Sequence, residues 1–138
     1  MYNKIMKRIK SCGCIILKDD KVLLISYRDD NDRLLWSFPK GHQEAGESDF
    51  ETAIRETKEE VGLDVEIINE KPIKTGHFEH GGTIYKDILL FLAKPLNSEI
   101  RLQNSEVKEA RWVPVDEASK YLETYYKDAW KKYLRNMI

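Results

Sequence analysis

Cysteine is nearly absent from this 138-residue chain: Cys12 and Cys14 are the only two, and one residue separates them. That spacing is too short for an ordinary structural disulfide, and two thiols fall short of the four ligands of a structural zinc site. The pair reads instead as small residues on the buried face of a strand, in keeping with a reducing, cytoplasmic compartment. No run approaches the roughly 20 apolar residues that span a bilayer, so no membrane segment is expected. The opening stretch MYNKIMKRIK is basic but lacks the apolar core of a secretory signal. An excess of one charge is missing as well. The 23 Lys and Arg and 24 Asp and Glu leave a formal net charge of −1, without the basic footprint that grips long nucleic acid. No repeat or linker divides the chain, and its length suits one domain over residues 1–138, with a monomer as the default state.

What is present is alternation and punctuation. The stretch SCGCIILKDDKVLLISYRDD reads as a hairpin of two buried strands around KDDK. A short extended piece, LLWSF, is stopped by Pro39, and KGHQEAGE follows as a loop. Ser48 with Glu51 forms a candidate capping box, and Gly62 stands where a left-handed terminal residue belongs, so a helix is predicted from Asp49 to Val61. Phe50, Ala53, Ile54, Thr57 and Val61 share the stripe expected to pack on a sheet. At about 100° per residue from Phe50, Glu56, Glu59 and Glu60 fall near 240°, 180° and 280°, away from that core. DVEII, PIKTGHF, TIYKDILLFLAK and EARWVPV read as further strands. The C-terminal stretch from Val115 reads as a helix opened by Asp116 as N-cap.

The crowding of Arg55, Glu56, Glu59 and Glu60 has two explanations. A charged helix face is commonly solvated, with Arg55 pairing at i±4 to Glu51 and Glu59. Yet Glu56 and Glu60 form a like-charge i,i+4 pair that a cation would relieve, and hard oxygen ligands in that number suit Mg²⁺, with Mn²⁺ as the alternative.

From Gly41 to Leu63 the spacing resembles the Nudix box: Gly41, five residues, Glu47, seven residues, Arg55-Glu56, two residues, Glu59-Glu60, one residue, Gly62. Thr57 stands where the family usually has a bulky aliphatic, and its methyl can still face the sheet. The resemblance implies a Nudix-type α/β/α sandwich with a mixed β-sheet, and hydrolysis of a nucleotide polyphosphate by water attack on phosphorus. It assigns Glu56, Glu59, Glu60 and the Lys40 carbonyl to the metal, and gives Arg55 and Glu47 the task of orienting the acids. The general base is then a box glutamate such as Glu59, or Glu106; for Glu106 a charged loop residue is the competing explanation.

The flanks, WSFPKGH and DFETAIRETKEEVGL above all, are similar to the asymmetric diadenosine tetraphosphate hydrolases, which implies cleavage to ATP and AMP. Ala45, where many relatives carry proline, departs from that pattern. On this resemblance Lys86 and Lys40 hold phosphate, with solvent-facing lysines as the competing explanation. Adenine needs a flat apolar surface, for which Tyr85 and Tyr125 are the candidate rings, with core packing as the alternative, and His42 lies near the expected cleft. The same box also serves oxidised-nucleotide sanitisers, RNA 5′-pyrophosphohydrolases and inactive nucleotide-binding modules.

Overall fold

The computed structural model describes residues 7–103 and 105–136. Strands β1 (Lys7–Lys18) and β2 (Lys21–Arg28) form the hairpin that the sequence predicts. Its turn residues, Asp19 and Asp20, have φ of 51° and 62°, the left-handed pair of a type I′ turn that short polar side chains tolerate. Leu17 pairs with Val22 and Lys18 with Lys21 at the closed end, and beyond it each strand takes other partners.

One edge of β1 runs parallel to β7 (Ile84–Pro95), and its other edge takes β4 (Lys40–His42) antiparallel. Along its far edge β7 carries β6 (Ile73–Glu79) and β5 (Val65–Ile67). Strand β2 pairs with β3 (Leu34–Ser37) and with β8 (Val107–Pro114). The product is a mixed 8-stranded sheet whose strands β2 and β4 diverge from a common origin on β1. A cleft opens where they part.

A helix covers each face, which makes the architecture an α/β/α sandwich. Under α1 (Asp49–Val61), Ala53 and Val61 pack on Cys12, Cys14, Leu89 and Phe91. Against α2 (Thr124–Asn136), Tyr126, Ala129 and Trp130 pack on Ile15, Ile88 and Leu90. Both thiols are buried and free, and burial pushes Cys12 up to about 12 and Cys14 to about 11, so neither is a nucleophile at neutral pH. No helix among the described residues is long and apolar enough to cross a membrane. The capping box at Ser48 and Glu51 is formed, worth about 1 kcal/mol, and Gly62 ends the helix at φ 75°.

Three sequence expectations are corrected. The start of the loop KGHQEAGE is strand β4, held to β1 by the pairs Ser11 with His42 and Gly13 with Lys40. On α1, Ile54 is 40% exposed while Thr52 and Glu60 are buried alongside Ala53, Thr57 and Val61. The buried arc is therefore rotated towards the acidic edge, because β4 lies against that edge and draws Glu60 and Glu56 inward. Glu60 thus does not face away from the core, and Arg55 pairs with Glu59 but not with Glu51, which the cap occupies. Finally, the C-terminal stretch is not one helix. A 3₁₀ turn (Val115–Lys120) holds Asp116 in its first turn, and Leu122 then pairs its backbone with Trp36 before α2 begins. A bridge at a buried leucine cannot coexist with helical hydrogen bonding there.

The close approach of β4 yields a test. A methyl at Gly13 would overlap the Pro39 carbonyl and the Lys40 side chain. Gly13→Ala is expected to cost about 2 kcal/mol or more in urea denaturation, as overpacking against backbone does. An unchanged midpoint would show that β4 does not press on β1.

Candidate active site

Strand β4 and the loop after it bring the start of the box onto the side of α1. The Arg55 guanidinium joins them: Nε donates to Glu47 Oε2 at 2.6 Å and Nη2 to Glu47 Oε1 at 2.9 Å, a bidentate fork. Nη2 also donates to the His42 carbonyl at 3.0 Å, and Nη1 to Glu56 Oε1 at 2.9 Å and Glu59 Oε2 at 3.1 Å. Glu47 accepts in addition from the Glu44 amide and the Thr52 hydroxyl, both at 3.0 Å. Its Arg55 bonds, before all else, hold the Glu47 carboxyl down at about 2, and the same contact raises Arg55 above its ordinary value.

One turn further along, Glu60 is 8% exposed and accepts the Lys40 backbone N–H at 2.7 Å. Burial pushes its pKa to about 8, against the pull of Lys40 and with added repulsion from Glu56 and Glu106. A Cβ at Gly41 would overlap the Glu56 carboxylate, so a larger residue there would displace that side chain from its place. Burial likewise raises Glu56, opposed by Arg55.

These groups line a cavity of about 760 Å³ in the cleft between β2 and β4. Glu56, Glu60 and Glu106 supply its acids from α1 and from the segment before β8; Lys40, His42 and Lys86 supply basic groups from β4 and β7. Lys86 is held by Glu79 at 3.3 Å, and Glu79 also meets His77 Nε2 at 2.8 Å. Burial pushes Glu79 up, but Lys86 and His77 together outweigh it and leave the carboxyl below its ordinary value. Lys86 and His42 are both lowered, by burial first and then by neighbouring lysines. A cavity of this size, walled by several cations, accommodates phosphate groups.

The remaining candidates lie outside this lining. Glu59 sits on the outer side of Arg55 with a side chain 54% exposed. Strand alternation that turns Lys86 into the cavity sends Tyr85 to the opposite face, where Arg8 lies 4.9 Å over its ring and Phe78 meets it edge-on. Tyr125 stacks on His77, with centroids 4.1 Å apart, and its hydroxyl interacts with that of Tyr27. Tyr27, Arg28, Asp30 and Lys108 line the cavity without having been singled out from sequence. Alternation with Ile25 was the available signal for Tyr27; nothing local marked the others.

Among the described residues no three Asp, Glu, His or Cys side chains converge as a ready metal cluster. The donor chemistry nonetheless fits a hard divalent cation. Glu60 is buried with no ammonium or guanidinium at ion-pair distance among the described residues, and Glu56 and Glu106 oppose its ionisation, which a cation beside the three would favour.

Comparison with known proteins agrees with the fold. A Nudix domain profile matches residues 7–135. The asymmetrical bis(5′-nucleosyl)-tetraphosphatase of Sus scrofa is 30% identical over 123 residues, which cover 80% of this chain and 82% of that protein. Nudix hydrolase 2 of Arabidopsis thaliana is 36% identical over 85 residues, 60% of this chain, and the chain spans only 30% of that relative's length. The crystal structure of a C. elegans Ap4A hydrolase binary complex superposes with a TM-score of 0.78 at 25% identity, covering 94% of this chain and 97% of that one.

The buried carboxyl of Glu60 gives a pH signature. Between its ordinary value of 4.5 and about 8, the native state keeps a proton that the unfolded chain has released, so the metal-free protein loses stability as pH rises through that window. In EDTA, Glu60→Gln should therefore melt above the wild type at pH 8 and close to it at pH 4. Parallel melting curves across that range would remove Glu60 as the strained acid.

Proposed function

Because the chain belongs to the Nudix domain family, we propose that it is a hydrolase of nucleotide polyphosphates whose substrate is diadenosine tetraphosphate, split asymmetrically into ATP and AMP. One observation carries this proposal: Glu56, Glu60 and Glu106 share a single cavity with Lys40, His42 and Lys86. Acids alone would repel a phosphate chain and cations alone would merely bind it. Both together accommodate a polyphosphate and a divalent cation at once.

Glu56, Glu60 and the Lys40 carbonyl are the residues that would hold Mg²⁺, or Mn²⁺, with Glu59 as a further ligand from the exposed side of the same ridge. When bound, the ion supplies neutralisation of phosphate charge and acidification of water. The chain does the rest. Arg55, clamped by Glu47, fixes the Glu56 side chain and ties it to the His42 carbonyl, so the acids meet the substrate without a search for geometry. Lys86 and Lys40 offer ammonium groups to the phosphates, and Lys86 is positioned by Glu79. Glu106, which enters the cavity from the segment before β8 and acts on the charge of Glu60, is the carboxylate proposed to take the proton from the attacking water. Tyr125 and its neighbour His77 are the rings proposed for the adenine.

The preference for a dinucleoside tetraphosphate rests on the likeness to relatives so named. Product analysis after incubation with diadenosine tetraphosphate and Mg²⁺ in oxygen-18 water tests it, beside oxidised dGTP and a 5′-triphosphorylated RNA. ATP and AMP are the expected products. Faster turnover of either competitor would keep the chemistry and replace the substrate. For the base, Glu106→Gln is expected to lower kcat by about two orders of magnitude or more at saturating metal; unchanged turnover would take Glu106 out of the reaction.

A further inference from the structure

The cavity carries a second group of cations for which the steps above have no use. Arg28 is the last residue of β2, and Lys108 is the second of β8; both line the same cavity as Glu106. Lys108 reaches it through an irregularity in the sheet. Ser26 pairs with Glu109 and Tyr27 with Val107, which leaves Lys108 as the additional residue of a β-bulge. Regular alternation would place neighbours Val107 and Lys108 on opposite faces, yet both line the cavity. Re-aiming a side chain is what a bulge accomplishes.

Neither cation is firmly engaged where it stands. Arg28 donates to the Asp32 carbonyl at 2.9 Å and meets the Asp32 carboxylate only at 3.7 Å, while Asp32 is itself 87% exposed. The Lys108 ammonium reaches the Ser105 carbonyl at 3.4 Å, a long and weak bond. Asp30 lies on the same rim and offsets part of their charge. Lys40 and Lys86 are carried by β4 and β7, which both pair with β1, whereas Arg28 and Lys108 are carried by β2 and β8, which pair with each other. A phosphate chain crossing the acids from one pair of strands to the other thus meets two cations on each.

We propose that Arg28 and Lys108 form a second phosphate-binding lip, which holds the distal phosphates of the substrate and makes the site select long polyphosphate chains over short ones. This deepens the proposed hydrolysis of a dinucleoside tetraphosphate and rests on it only for the identity of the natural ligand. A nucleotide with one phosphate is held by the inner cations alone. Each phosphate beyond those at the acids adds a charge-assisted contact at the lip, weakened by exposure and by salt.

The test is calorimetric titration, with Mg²⁺ present, of AMP and of an uncleavable methylene-bridged analogue of adenosine tetraphosphate. Arg28→Gln with Lys108→Gln is expected to raise Kd for the analogue about tenfold or more and to leave that for AMP within about twofold. Each single substitution should give about a threefold rise. The charge-retaining pair Arg28→Lys with Lys108→Arg should stay within about threefold of wild type, which separates charge from folding. Equal weakening for both ligands, no weakening, or a wild type that binds the analogue no better than AMP would each overturn the lip. Because binding is read without turnover, a protein that holds the analogue through the lip but cleaves no dinucleotide would overturn the proposed substrate and leave the lip standing.

Discussion

Arg55 and Glu47 meet fork to fork, at 2.6 and 2.9 Å, and that contact closes the box loop onto the helix that follows it. Both partners are partly sheltered, with side chains 24% and 16% exposed, so the pair is screened less than a surface ion pair. Its consequences run in two directions. Towards the loop, the same guanidinium takes the His42 carbonyl and pins the end of β4. Towards the helix, it takes Glu56 and Glu59 and sets where the acidic ridge stands. A lysine, with one point charge and no fork, has no means of making these contacts together.

Once β4 is pinned, the acids are no longer free to choose solvent. Glu60 is drawn under the Lys40 amide, and the Glu56 carboxylate occupies the space that a Cβ at Gly41 would fill. The local strain is electrostatic. Four carboxylates, Asp30, Glu56, Glu60 and Glu106, share a cavity in which Glu60 is held well above its ordinary pKa by burial and by its neighbours. Such a site costs stability as it stands, and a bound cation would relieve it, the usual exchange between stability and function.

Much of this was legible without coordinates, because local chemistry specified it. The capping box, the left-handed Gly62, the Asp19-Asp20 turn and the buried cysteine pair each depend on residues within one turn or one strand. The acidic ridge and its arginine were likewise fixed by spacing on a helix. What failed were statements about faces and company. The apolar stripe through Phe50 and Ile54 pointed the helix away from its true buried arc, since such a stripe cannot report that β4 will pack on polar Glu56 and Glu60. Lys86 was assigned to phosphate and Tyr85 to the base of the same substrate, and a strand sends neighbours to opposite faces.

The order of residues by itself determined the hairpin, the capped helix and the spacing of the box acids and their arginine, because each follows from side-chain type at a fixed local interval. Tertiary structure decided which of those groups share a cavity. The divergence of β2 from β4 on β1 joins α1 to Glu106 across 46 residues, and the bulge at Lys108 turns a second cation inward. Both depend on pairing between distant strands, and register over such separations is set by the packed sheet and not by the residues on either side of the site.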